Sequence, residues 1–263
     1  MTAAADPSRE RFEWDGGENI QFEGEDMSLT VGFSPRRSTE TNLVLLKAPE
    51  FVQRYIDHFK TFEAKNMVEV GLYQGGSTVF FWHLLPLKRL VGIELEAGAP
   101  VLDRFIERRG LGEEIRTYYG TSQDDRARLT EIMASEFGNE PIDLVIDDAS
   151  HMYPQTRDTF EILFPLLRPG GQHIIEDWRA FSLLRNHAEK PFENVIMHKL
   201  IAEIVLLNAA RPDIISAIKI NPKFVAIERG PAELDPGTFA IEKLARSEGF
   251  PAFTISMQDN RPG

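Results

Sequence analysis

An apolar run that breaks abruptly into glycines restricts what the following chain can do in space. Met67-Val68-Glu69-Val70 leads into Gly71-Leu72-Tyr73-Gln74-Gly75-Gly76-Ser77-Thr78, and a mostly apolar segment continues from Val79 to Leu85. Glycine tolerates positive φ and lets another group approach the backbone closely, so the pattern predicts strand, turn and helix with a ligand at the turn. The spacing is Glu69-x-Gly71-x-x-x-Gly75. The second and third glycines of a G-x-G-x-x-G dinucleotide fingerprint are therefore misplaced, which disfavours a nicotinamide-dependent dehydrogenase.

The rest of the chain alternates in the same way. Short apolar strands are predicted at Leu90–Ile93, Ile115–Tyr119, Ile142–Asp147 and from His173, and Ile214–Ile220 and Phe224–Glu228 read as a closing strand pair. Helices are predicted over Pro100–Arg109, Asp125–Phe137, from Pro154, and over Val195–Asn208. The Pro154 helix is expected to bury Phe160, Leu163, Phe164 and Leu167, and Pro169-Gly170-Gly171 to turn the chain into the next strand. Glu40–Phe59 also has helical spacing, with Pro49 a possible break. With 263 residues, no internal repeat and no linker, one α/β domain over 39–263 is expected, preceded by an acidic arm, 1–38. That arm reads either as disordered or, since Phe12, Trp14, Phe22 and Phe33 give it something to bury, as ordered over a site or a neighbouring subunit.

A net charge of −12 argues against nucleic acid or an anionic membrane surface as partner. No cysteine is present, so thiolate metal sites, disulfides and thiol nucleophiles are excluded. No apolar run approaches the roughly 18 residues of a membrane span, and no basic-then-apolar leader opens the chain. A cytoplasmic protein is expected. The apolar run Ile201–Leu207 is compatible with burial in a homo-oligomer or in the chain's own core.

Carboxylates close several strands. Glu94 lies about 20 residues beyond the glycine turn, where an acid can accept both hydroxyls of a ribose. The polar loop Gly120-Thr121-Ser122-Gln123-Asp124 suits an adenine edge. Asp147-Asp148 and Glu176-Asp177 end two strands which, if adjacent, lie about 4.8 Å apart. Four converging acids repel one another, and a hard divalent cation relieves the conflict. Asp148, Glu176 and Asp177 are the expected ligands of Mg²⁺ or Mn²⁺. His151, three residues beyond Asp148, is the candidate base that takes a proton from a substrate hydroxyl. The bland alternative is that these acids cap helices or accept loop N–H groups.

Asp148-Ala149-Ser150-His151 and Glu176-Asp177-Trp178, behind the Glu69–Gly75 turn, resemble the metal-dependent sugar O-methyltransferases of macrolide and related antibiotic biosynthesis, the group of the mycinamicin and macrocin enzymes. The cephalosporin hydroxylase group is similar. The resemblance covers roughly residues 65–228. It implies a class I S-adenosylmethionine (SAM) methyltransferase fold, a mostly parallel seven-stranded sheet with helices on both faces. It further implies Asp148, Glu176 and Asp177 on Mg²⁺, His151 as base and Glu94 on the ribose. The Glu69, Gly71, Tyr73, Gly75 and Ser77 turn would lie near the methionine part, and Asp147 would face SAM. The expected partner is a small-molecule glycoside, and the segment from Trp178 to Asn194, with Phe181, Arg179 and Arg185, would form the acceptor wall. A catechol-like phenol would chelate a metal equally well. A hydroxylase-like SAM- and metal-binding protein that transfers no methyl is the alternative of another class, because fold alone does not settle reaction type.

Overall fold

The computed structural model describes residues 12–22, 27–33, 37–179 and 197–247. A small sheet comes first: β1 (Phe12–Trp14), β2 (Asn19–Phe22), β3 (Ser28–Val31) and β4 (Asn42–Leu45), in that order. The first three strands run antiparallel, whereas β3 and β4 pair in parallel. Then follow α1 (Pro49–Phe59), β5 (Asn66–Val70), α2 (Gly76–Leu84), β6 (Arg89–Ile93), α3 (Pro100–Arg109), β7 (Ile115–Tyr118) and α4 (Arg126–Phe137). The second half holds β8 (Ile142–Asp147), α5 (Tyr153–Leu163), β9 (Leu167–Glu176), α6 (Met197–Ala210), β10 (Ile215–Ile220), β11 (Phe224–Arg229) and α7 (Ile241–Ser247).

The main sheet has seven strands in the order β10-β11-β9-β8-β5-β6-β7. The five strands from β9 to β7 are parallel, and β11 runs against both β9 and β10. Because strand side chains alternate between faces, Met67, Leu90, Leu144 and Ile174 enter one core with α1, α2 and α3. Val68, Val91, Val145 and Ile175 enter another with α4, α5 and α6. Helices thus cover both faces, as expected. Each fully buried large apolar side chain contributes roughly 1.5–3 kcal/mol relative to exposure. Leu200, Ile201, Ile204 and Leu207 of α6 are buried within the chain's own core. Among the described residues, no helix is long and apolar enough to cross a membrane.

Three local expectations are corrected. The helix expected over Glu40–Phe59 begins only at Pro49: the preceding Asn42–Leu45 is a strand, whose backbone groups find partners on β3. Proline at the first helical turn has no N–H to lose there, so it starts α1 instead of breaking it. Leu167 is buried but is not helical; α5 ends at Leu163, Pro165 sits in a 3-10 turn, and Leu167 opens β9. Pro169-Gly170-Gly171 then lies inside β9, where the register against β8 shifts. A Cβ on Gly171 would come within 2.9 Å of Arg168 O and 3.0 Å of Asp143 O, so glycine permits this irregularity.

The described part of the segment read as an arm is folded onto α2. Ile20, Phe22, Leu29 and Val31 share the core of Phe80 and Phe81, and the Phe22 ring stacks on His83 with centroids 3.9 Å apart. At Gly76 an added Cβ would lie 2.1 Å from Val44 O, so the small sheet and α2 meet at backbone contact.

Candidate active site

A cavity of about 610 Å³ opens at the C-terminal ends of the parallel strands. The loops after β4, β5, β6, β7, β8 and β9 all contribute to its wall. It straddles β5 and β8, where the sheet order reverses, the place at which a doubly wound sheet leaves a crevice.

The glycine turn forms one wall. Gly71 (φ 90°) donates to Ile93 O at 2.8 Å, and a Cβ there would lie 2.5 Å from Asp148 O. Gly75 (φ 87°) caps α2, and its Cβ would meet Leu102 at 2.5 Å. Both glycines therefore serve close packing within the protein, and Gly71 sets the turn directly against the strand-end acids. Tyr73 (φ 51°) is half exposed and lines the cavity, as do Gly71 and Ser77. Glu69 is buried below the turn, 1% exposed, and accepts from Thr78 Oγ1 at 2.7 Å. Burial pushes its carboxyl up to about 7 against the pull of the Ser77 and Thr78 hydroxyls.

Glu94 clamps this turn to its own loop. Its Oε2 accepts from the backbone N–H groups of Leu72 and Tyr73, each at 2.8 Å, and its Oε1 from Glu96 N at 2.9 Å. It also lines the cavity. Ser122 and Gln123 line the neighbouring stretch. Ser122 Oγ donates to Asp124, and Gln123 Oε1 accepts from Ser150 N at 2.9 Å. Gln123 Nε2 donates to both oxygens of Asp147, at 3.3 and 3.2 Å. Asp147 is 2% exposed, does not line the cavity, and has its carboxyl pushed up to about 7 by burial. Its place is in a buried network joining the β7 and β8 loops.

β8 and β9 are adjacent and parallel, so the two acidic strand ends do meet. Carboxylate oxygens of Asp148 and Asp177 and a ring nitrogen of His151 lie within 4.8 Å of one another. His151 Nε2 is 3.7 Å from Asp148 Oδ1. His151 (φ 55°) and Asp177 (φ 44°) both hold the left-handed backbone region, uncommon for such residues and concentrated at functional sites. Glu176 is engaged elsewhere. Its Oε1 accepts from Tyr55 Oη at 2.6 Å and its Oε2 from Lys47 Nζ at 2.5 Å. Lys47 Nζ also donates to Asp148 Oδ2 at 2.8 Å.

Lys47 and Tyr55 were invisible to sequence reading. Lys47 is a lone cation between the apolar end of β4 and Pro49; Tyr55 reads only as an apolar position of α1. Lys47 is 3% exposed. Burial works to lower its pKa, but Asp148 and Glu176 reverse that and hold it well above the usual ammonium range. Burial followed by the Asp148 charge pushes Glu176 up, with Lys47 and Tyr55 opposing. Asp177 is raised by the same two causes, opposed by His151, Lys47 and Lys223. Three carboxylates thus converge around one ammonium at the cavity, and burial with mutual repulsion disfavours the charged form of Glu176 and Asp177.

The cavity's rim is apolar. Phe33, Leu46, Tyr73, Leu95 and Met152 are large hydrophobic side chains, all at least 42% exposed, and all line it. Trp178, at the start of the expected acceptor wall, instead donates from Nε1 to Asn221 O at 2.9 Å and meets the His198 ring edge-on. Arg179 is described, whereas Phe181, Arg185 and the rest of that wall, 180–194, lie outside the described residues.

The strand order, with its final antiparallel pair, and a cavity at the β5–β8 switch define the class I methyltransferase fold. Residues 68–178 match the family described as a methyltransferase domain. Demethylmacrocin O-methyltransferase of Streptomyces fradiae is 33% identical over 141 residues, 50% of this chain and 32% of that protein. The 8-demethyl-8-(2-methoxy-alpha-L-rhamnosyl)-tetracenomycin-C 3'-O-methyltransferase of Streptomyces olivaceus is 34% identical over 142 residues, 50% of this chain and 33% of that one. The matched stretch thus spans about a third of the length of either relative. The MycE methyltransferase of the mycinamycin biosynthetic pathway, solved in complex with Mg, SAH and mycinamycin VI, superimposes with a TM-score of 0.51. It is 23% identical, and the superposition covers 70% of this chain and 49% of MycE. The family resemblance read from the glycine turn and the strand-end acids is borne out by these relatives.

Proposed function

We propose that this chain is a SAM-dependent O-methyltransferase acting on a sugar hydroxyl of a small-molecule glycoside, assisted by Mg²⁺ or Mn²⁺. The observation that carries this is the sharing of one cavity by the glycine turn, Glu94 and the Asp148–His151–Asp177 cluster. The relatives named above are O-methyltransferases, one of them named for a rhamnosyl-bearing substrate, and MycE was solved with Mg and SAH.

The residues present fit both groups. Six carboxylates line the cavity (Glu94, Glu96, Asp124, Asp148, Glu176 and Asp177) against one ammonium, Lys47. That suits SAM, whose sulfonium and ammonium outweigh its one carboxylate. Glu94 uses its oxygens on backbone N–H groups yet keeps lone pairs for ribose hydroxyls. Asp148 and Asp177, with His151 beside them, would hold a divalent cation, whose charge would relieve the repulsion among the converging acids. Once bound, the cation would acidify a chelated hydroxyl, and SAM would supply the methyl group.

His151 takes the hydroxyl proton on a ring nitrogen. The oxygen so freed would accept the methyl group that SAM would supply when bound. The turn and the Ser122–Gln123 loop line the cavity and would position SAM, and positioning supplies the larger part of the barrier reduction in such a transfer. Phe33, Leu46 and Met152 offer apolar surface to the acceptor. Phe33 belongs to residues 1–38, and its place on the rim supports that segment as a cover over the site. A cytoplasmic location, where SAM is supplied, and a homo-oligomer, checked by mass in solution, are parts of the same reading.

The test is calorimetric titration of S-adenosylhomocysteine, then transfer of labelled methyl from SAM to glycosides and to a catechol. Micromolar binding lost in Glu94→Ala, with label on glycosides, is expected. Label on the catechol alone moves the acceptor class, and no binding at all sinks the proposal.

A further inference from the structure

Gln123 lies on the loop after β7 and lines the cavity, and the bonds of its carboxamide run inward, to the loop that carries His151. We infer that Gln123 is a positioning residue that holds His151 at the cavity by clamping the chain on either side of it. The inference rests on the reading above in which His151 is the base.

The clamp has anchor points before and after the imidazole. Before it, Gln123 Nε2 donates to Asp147 Oδ1 and Oδ2 at 3.3 and 3.2 Å, and Oε1 accepts from Ser150 N at 2.9 Å. After it, Nε2 donates to Thr159 Oγ1 on α5 at 2.9 Å, and that hydroxyl bonds back to Gln123 O at 3.0 Å. A carboxamide nitrogen carries only a pair of hydrogens, so Asp147 and Thr159 use it fully. Gln123, Asp147 and Thr159 are 6%, 2% and 0% exposed, so water does not stand in for a lost partner.

His151 needs such a hold. Its backbone sits in the left-handed region (φ 55°), a conformation that persists only where the surroundings over-determine it. Asp148 Oδ1 is 3.7 Å from its Nε2, beyond hydrogen-bonding distance, so that contact does not fix the ring. The ring's place follows from the path of 147–151, and the Gln123 carboxamide closes a ring across that path, from the Asp147 carboxylate to the Ser150 N–H. Ser150 Oγ adds one local bond, accepting from Met152 N at 3.2 Å. A reacting group displaced by about 1 Å loses on the order of 10²-fold in rate. One side chain thus joins the polar loop expected at the adenine to the loop expected to move the proton.

The experiment compares Gln123→Met, close in length but without hydrogen-bonding groups, with wild type, both as the full chain. Histidine ring signals are read by NMR at one pH, with His151 assigned from its loss in His151→Ala. In Gln123→Met the His151 signal is expected to shift and broaden while those of the buried His83 and His173 stay in place; a general loss of structure would move them all. With the glycoside that takes label in the screen above, kcat at saturating SAM should fall by about 10- to 100-fold, with KM within about threefold of wild type. In the His151→Ala background the same change should cost less than about twofold, since its effect passes through the imidazole. If Gln123→Met does not fold, Thr159→Val removes only the α5 anchor and should displace the same signal. An unmoved His151 signal, or a loss undiminished in the His151→Ala background, overturns the inference while leaving the base reading standing. An unchanged rate in His151→Ala instead removes the base reading beneath it, and the inference with it.

Discussion

Tyr55 Oη donates a 2.6 Å hydrogen bond to Glu176 Oε1, joining the middle of α1 to the end of β9 inside the molecule. Both side chains are buried, and burial followed by the Glu176 charge keeps the phenol protonated as donor. Removing the hydroxyl leaves a buried carboxylate oxygen unsatisfied. Tyr55→Phe should therefore lose about 1.5–3 kcal/mol of stability, read from urea unfolding. A loss below about 0.5 kcal/mol would show that the bond contributes nothing net.

Gly71→Ala tests whether the turn serves packing. Its Cβ would lie 2.5 Å from Asp148 O at a φ of 90°. The strain alone is worth roughly 1–3 kcal/mol, and relieving the contact must move Asp148. Lower thermal stability is expected together with weaker Mn²⁺ binding. A variant with wild-type melting and metal affinity would contradict that coupling between turn and strand end.

The pH dependence of stability should carry the signature of Glu69. Burial raises its carboxyl from 4.5 to about 7 in the folded chain. Between those values the folded state keeps a proton that the unfolded state has released. The stability linked to this group is therefore present at low pH and lost as pH rises through 7. Glu69→Gln cannot ionise. From pH 5 to pH 8 it should lose less stability than wild type, by on the order of 2–3 kcal/mol. Parallel unfolding curves at the two pH values would refute the assignment.

For His151→Ala, methyl transfer to a glycoside acceptor should fall by about 10²–10⁴-fold, the usual contribution of a positioned base. S-adenosylhomocysteine affinity, read by calorimetry, should stay near wild type, because the imidazole belongs to the Asp148–Asp177 cluster. An unchanged transfer rate would remove His151 from proton transfer.

Much of the sheet was readable one element at a time. Val68 to Val70, Leu90 to Ile93 and Ile142 to Asp147 are short apolar runs bounded by turns, and each became a parallel strand. Errors arose where a local pattern had two outcomes. Leu43 to Leu45 fits a helix face as well as a strand, and only β3 alongside made it β4. Leu167 continues the spacing of α5, yet Pro165 and the pairing with β8 place it in a strand.

The candidate site divides along the same line. Turn chemistry and strand ends are local, so Gly71, Glu94, Asp148, His151 and Asp177 could be picked out from spacing and residue type before any fold existed. Which acid pairs with which cation is not local. Lys47 reaches Asp148 and Glu176 across 101 and 129 residues of chain, and Tyr55 reaches Glu176 across 121. Sequence by itself determined the alternating elements, the cavity-lining glycine turn and the supply of carboxylates, because those follow from short-range sterics and hydrophobic periodicity. Only tertiary structure decided that Glu176 belongs to Lys47 and Tyr55, because a buried charge takes its partner from whatever the packed core brings within 3 Å.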